Sequence, residues 1–182
     1  MHVADCTIAV GGNGGGVELY NASRQNQGRA SLASAIAAVY LLSRGAVAFG
    51  SRDGWLAVAD ADGHIAWKRQ FGHSIQQPTR IPSAMLLFQG DLLAEMEDES
   101  LFRFTLAGQE IWSVPCQYHA IKRLGAVNIN GRPQIVVGTE WGMLDLLDAK
   151  GKTIWNKMVV QSPPSGRATF TEPELQAIAC SD

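Results

Sequence analysis

AVAFGSRDGWLAVADADGHIAWKR, residues 46–69, decides the fold, because two looser copies of it follow further along the chain. When Gly63 of DADGHIAW is set over Gly108 of LAGQEIW and Gly151 of DAKGKTIW, the glycines lie 45 and 43 residues apart. Trp67, Trp112 and Trp155 then each follow their glycine by four positions. Inside the clearest copy, short apolar runs are separated by Ser51-Arg52-Asp53-Gly54 and Ala61-Asp62-Gly63. Asp-Gly and its like suit tight connections between strands, since glycine reaches φ > 0 without a Cβ clash. A period in the forties built of short strands is the signature of blades in a β-propeller.

The chain therefore reads as all-β, a propeller of four-stranded antiparallel blades, about four of them. Blade 2 covers residues 34–69. Its first strand, 36–42, lies in ASLASAIAAVYLL, whose alanines would also suit a helix. The repeat decides for a strand, with room for a helical turn before it, because SAMLLFQG and AIKRLGAVNIN stand at the equivalent place in the other copies. Blade 3, 80–115, predicts strands at 83–88, 91–96, 101–105 and 110–114, with Glu97-Asp98-Glu99 in place of a glycine-bearing turn. Blade 4, 119–160, predicts strands at 120–129, 134–138, 143–147 and 153–158, a turn at 130–133, and a Pro/Gly/Ser break after it. Blade 1, 3–31, begins as a hairpin, CTIAVGGNGGGVELYN, followed by the polar SRQNQGRAS, which reads as a loop. ELQAIAC, 174–180, has the character of an inner strand and is assigned to blade 1, an overlap that spares a propeller a raw sheet edge.

Composition narrows the function classes. The 182 residues are 46% hydrophobic, enough to bury a core. With 15 basic and 17 acidic side chains the net charge is −2, which gives no field for nucleic acid. Cys6, Cys116 and Cys180 form no CxxC pair and suggest neither a disulfide framework nor a zinc site. The start MHVADC lacks the basic region of a secretory signal, and no apolar run is long enough to span a bilayer. The expectation is a soluble, cytoplasmic protein with no membrane partner. Without an export signal, the sequon Asn21-Ala22-Ser23 carries no glycosylation argument. The glycine-rich turn is no phosphate cradle either, because GxGxxG begun at Gly12 would need glycine where Val17 stands. DADG reads as a hairpin turn rather than a calcium loop, since LAG and DAKG lack its second carboxylate.

VAFGSRDGWLAVADADGHIAW and IVVGTEWGMLDLLDAKGKTIW resemble the PQQ-like repeats of quinoprotein-type (WD-like) propellers and of their non-enzymatic scaffold relatives. The likeness covers about residues 34–160. The resemblance implies six to eight blades, so something must add to the blades of one chain. A head-to-tail homodimer would make eight; closure of four within one chain and a piece of a longer propeller are the alternatives. It also implies ligand contacts on the face made by the loops between second and third strands and by the interblade connections. That face takes in Arg52, Asp53, His73, Glu97, Asp98, His119, Glu140 and Trp141. Trp67, Trp112 and Trp155, with Gly63, Gly108 and Gly151, read as structural, the rings covering the seams between blades. His73 and His119 follow their tryptophans at similar distances, but no third group is in view to orient a catalytic pair. Quinoprotein enzymes carry an adjacent-cysteine disulfide and an export signal that are not seen here. The chain thus reads as a non-catalytic scaffold without cofactor or metal, binding a protein or small ligand, with a quinoprotein-like oxidoreductase as the alternative.

Overall fold

Each copy of the repeat folds into a sheet of consecutive antiparallel strands. The computed structural model describes residues 7–71, 82–96, 100–115, 121–139 and 142–159. The first sheet holds β1 (Ile8–Gly11), β2 (Gly16–Tyr20) and β3 (Asn26–Ser31). The second holds β4 (Ile36–Leu41), β5 (Val47–Ser51), β6 (Trp55–Ala59) and β7 (Ile65–Gln70). The third is β8 (Pro82–Phe88), β9 (Asp91–Met96), β10 (Ser100–Phe104) and β11 (Glu110–Pro115). The fourth is β12 (Ile121–Ile129), β13 (Arg132–Thr139), β14 (Met143–Asp148) and β15 (Thr153–Met158).

Two expectations need correction. The polar stretch 23–31 is not all loop: Asn26–Ser31 pairs along β2 as a third strand. Its alternation puts only Ala30 into the core, so periodicity was too weak to outvote its polarity. The turn at 130–133 is only Asn130-Gly131, and Pro133 already lies in β13. The proline is tolerated because it faces only β12 there, ahead of the stretch that pairs with β14. The strand expected at 174–180 lies outside the described residues.

The turns repeat as strictly as the strands. Between the first two strands of sheets two, three and four sit Arg44-Gly45, Gln89-Gly90 and Asn130-Gly131, each pair with both φ positive. This is the hairpin geometry whose twist matches that of the strands. Between the last two strands, the side chains of Asp60, Thr105 and Asp148 accept the backbone N–H four residues on. Asn21 does the same with Gln25 in the first sheet, which reveals 21–25 as another copy of the repeat. In that copy Arg24 (φ 61) takes the left-handed position of Gly63, Gly108 and Gly151, and Gly28 stands where the others have tryptophan.

The core lies between sheets. Val17, Leu19 and Ala30 of the first meet Val47, Phe49, Ala57 and Ala59 of the second. Leu56, Val58 and Phe71 of the second meet Leu92, Ala94, Phe102 and Phe104 of the third. Phe88, Leu93 and Leu101 of the third meet Ile135, Val137 and Leu147 of the fourth. Burying each large aliphatic or aromatic side chain is worth about 1.5–3 kcal/mol, so these seams carry most of the stability. Two of these three seams are locked from the outer strand. The Trp67 indole Nε1–H donates to the Leu106 carbonyl at 2.8 Å, and Trp112 Nε1–H to that of Ala149 at 3.2 Å. Arg103 ties the third and fourth sheets by pairing with Asp91 at 2.6 Å while donating to the Ala149 carbonyl at 2.7 Å.

Trp67→Ala removes both the ring's packing and its hydrogen bond across a seam. Chemical denaturation should show a loss of about 3 kcal/mol; a loss below about 1 kcal/mol would mean that the ring is not part of the seam.

Candidate functional site

Up-and-down strands send the connections of each sheet to two opposite ends. The turns between third and fourth strands neighbour one another from sheet to sheet, since Gly28 abuts Asp62 and Gly63, and Trp67 abuts Gly108. The turns between second and third strands therefore share the other end, the loop face on which the sequence places its candidate residues. Two of those eight residues, Arg52 and Asp53, lie among the described ones. His73, Glu97, Asp98, His119, Glu140 and Trp141 lie outside them.

Arg52 and Asp53 form the tip of the turn between β5 and β6, and they differ in role. Asp53 is tied into the turn: its carboxylate accepts from the Ser51 hydroxyl, and its carbonyl accepts from the Gln70 amide at 3.5 Å. The Ser51 hydroxyl in turn accepts from Trp55 N–H, as the Thr139 hydroxyl accepts from Met143 N–H in the fourth sheet. Arg52 is anchored by its backbone N–H to the Ala35 carbonyl at 2.8 Å, and its exposed side chain makes no ion pair among the described residues. The turn thus presents a guanidinium on a rigid stem, suited to a carboxylate or phosphate rather than to acid–base chemistry.

Two buried carboxylates belong to the seam between the third and fourth sheets, and neither was singled out in the sequence. Glu95 is wholly buried one position before the end of β9, opposite Leu101 of the core. Asp145 lies opposite Val137 on β14 and is 9% exposed, with one carboxylate oxygen unpartnered among the described residues. Burial pushes the Asp145 carboxyl above the ordinary carboxylate range. Its counterparts in the second and third sheets are Ala57 and Phe102, both buried and apolar, so the repeat itself marks Asp145 as out of pattern.

At the end opposite the loop face, Asp60, Asp62 and His64 bring ligand-type atoms within 4.8 Å of one another, all three exposed. One Asp60 oxygen accepts the N–H groups of Asp62 and His64, which holds its carboxyl below the ordinary range and matches the hairpin reading of DADG. Nearby, a cavity of about 520 Å³ opens between the first and second sheets beside Asn21, Gln27, Arg44 and Asp62. It lies at the seam where Gly28 supplies no indole.

No protein-family model matches the sequence, and no curated protein matches it. Solved structures do. The computationally designed Ika8 protein superposes over 100% of this chain and 52% of its own, with a TM-score of 0.76 and 20% identity. BamB from Moraxella catarrhalis does so over 91% and 49%, with a TM-score of 0.69 and 17% identity. BBS1N, crystallised in complex with ARL6DN, does so over 86% and 51%, with a TM-score of 0.68 and 13% identity. The fold is a β-propeller. The chain spans about half the length of the propeller chains it matches, and its four sheets are blades. Among the described residues, no helix is long and apolar enough to cross a membrane.

Asp145→Asn tests the buried carboxylate. A raised carboxyl means that the folded chain holds the proton more tightly than the unfolded one, so ionisation costs stability as pH rises through and above the carboxylate range. At pH 7 the asparagine variant should be more stable by about 1 kcal/mol. That gain should vanish when thermal melts are repeated at a pH low enough to protonate Asp145; a gain that does not change with pH would contradict the assignment.

Proposed function

We propose that this chain is a non-catalytic propeller scaffold that presents its loop face to another protein or to a small anionic ligand. The observation that carries the reading is the division of labour in the β5–β6 turn. Ser51 and Asp53 are consumed in holding the turn, and Arg52 is left facing solvent. A rigid scaffold bearing an exposed guanidinium costs little conformational entropy on binding, which is what a recognition surface needs. The remaining candidates, His73, Glu97, Asp98, His119, Glu140 and Trp141, lie outside the described residues, and their place on the same face is part of the proposal. Structural likeness to BBS1N, a propeller crystallised with a protein partner, supports protein binding as the use of such a face.

Arg52→Glu should leave the melting temperature within about 2 °C of wild type, because an exposed substitution of this kind is close to neutral. It should also lose the partners that immobilised wild-type chain retains from a cell extract. Retention of the same partners by the variant would remove the loop face from the proposal. Stoichiometric uptake of PQQ with calcium by the purified chain, read by absorbance, would overturn the scaffold reading in favour of the oxidoreductase.

A further inference from the structure

Among the described residues, some side chains at each end of the series are exposed where their counterparts in the middle blades are buried, although Val136 and Leu146 on the fourth blade's outward face are buried. Trp67 and Phe71 of the second blade recur as Trp155 and Val159 in the fourth, since Phe71 N–H bonds the Gly54 carbonyl as Val159 N–H bonds that of Gly142. Phe71 is 5% exposed, but Trp155 and Val159 are 43% and 51% exposed. The Trp155 indole, unlike those of Trp67 and Trp112, donates to no carbonyl among the described residues.

The opposite end is open in a complementary way. Val47 and Phe49 of the second blade, wholly buried against the first, recur as Ile8 and Val10 in the first blade, 48% and 52% exposed. The 21–25 turn has the build of the turns that receive Trp67 and Trp112. Its Ala22 carbonyl stands where those of Leu106 and Ala149 accept the indoles, and residues 22–25 are exposed.

From these two faces we infer that a second copy of this chain closes the ring: Trp155 and Val159 of one copy pack on Ile8, Val10 and the 21–25 turn of the other. The Trp155 Nε1–H is donated to the partner copy's Ala22 carbonyl. Donor face and acceptor face lie on the same chain, so two copies joined head to tail satisfy both, in two identical seams around a twofold axis. The seam is a copy of contacts that this chain already makes between its own blades. Glu18, at the position of the buried Ala57 and Phe102, and Arg24 are departures from that pattern. A Cβ built at the equivalent Gly108 would fall 2.8 Å from the Trp67 ring, so the Arg24 side chain holds the incoming indole outward.

This inference rests on the propeller reading but not on the loop face, and it is tested without any loop-face partner. Light scattering on the purified chain should give twice the 19.6 kDa of one chain at micromolar concentration; a single-chain mass, or a ladder of larger ones, would overturn it. Trp155→Ala should raise the dissociation constant at least about thirtyfold while circular dichroism stays that of the wild type. Arg24→Gly should lower it about threefold or more. A dimer whose constant neither variant shifts would also overturn the inference. Arg52→Glu, on the other end of the sheets, should leave the mass unchanged.

Discussion

The structure depends on one contact, repeated: an indole on the outer strand of one blade lies across the glycine of the next blade's last turn and donates its N–H to that turn's carbonyl. It fixes where each sheet sits against the next and excludes water from the apolar seam behind it. The turn must carry a residue in the left-handed conformation, and the side chain there must vanish for the ring to approach. Glycine meets both demands at Gly108 and Gly151. The Asp or Thr that opens the turn, capturing backbone N–H groups with its side chain, holds the carbonyl in place. Tryptophan, glycine and turn acceptor therefore work as one unit, and their period is the period of the fold.

Much of this was legible in the sequence because the unit leaves three marks at fixed spacing. The register of Trp67, Trp112 and Trp155 on their glycines was enough to set four strands per blade and to choose strand over helix for the alanine-rich stretch before Leu41. What stayed hidden was the copy in which all the marks change. In the first blade Arg24 replaces the glycine and Gly28 the tryptophan, so β3 passed for a polar loop. Asn21 keeps the turn's hydrogen bonds and was the signal that could have exposed it. Of the eight candidate residues, Arg52 and Asp53 lie in a turn that the structure describes. The sequence did not separate the exposed guanidinium from the carboxylate spent on the turn, a distinction that needs the Ser51 and Gln70 contacts. Asp145 was invisible for another reason: its burial comes from a neighbouring sheet, and only alignment with Ala57 and Phe102 shows that a charge occupies an apolar position.

A fold propagated by one contact also defines its own ends. The middle blades bury both faces against their neighbours, whereas Ile8 and Val10 of the first and Trp155 and Val159 of the fourth are exposed. The turn that carries Arg52 is held by short polar contacts and uses no indole contact. Exposed residues in such turns can vary at little cost to the core.

The contact itself is tested most directly by comparing Gly108→Ala with Gly90→Ala. The two glycines share a left-handed φ, +87 and +85, so alanine meets the same φ penalty at both. They differ in surroundings: the new methyl carbon would lie 2.8 Å from the Trp67 ring at Gly108 and in open space at Gly90. Urea denaturation should show Gly108→Ala to be the more destabilising by about 2 kcal/mol, and equal losses at the two positions would contradict the account.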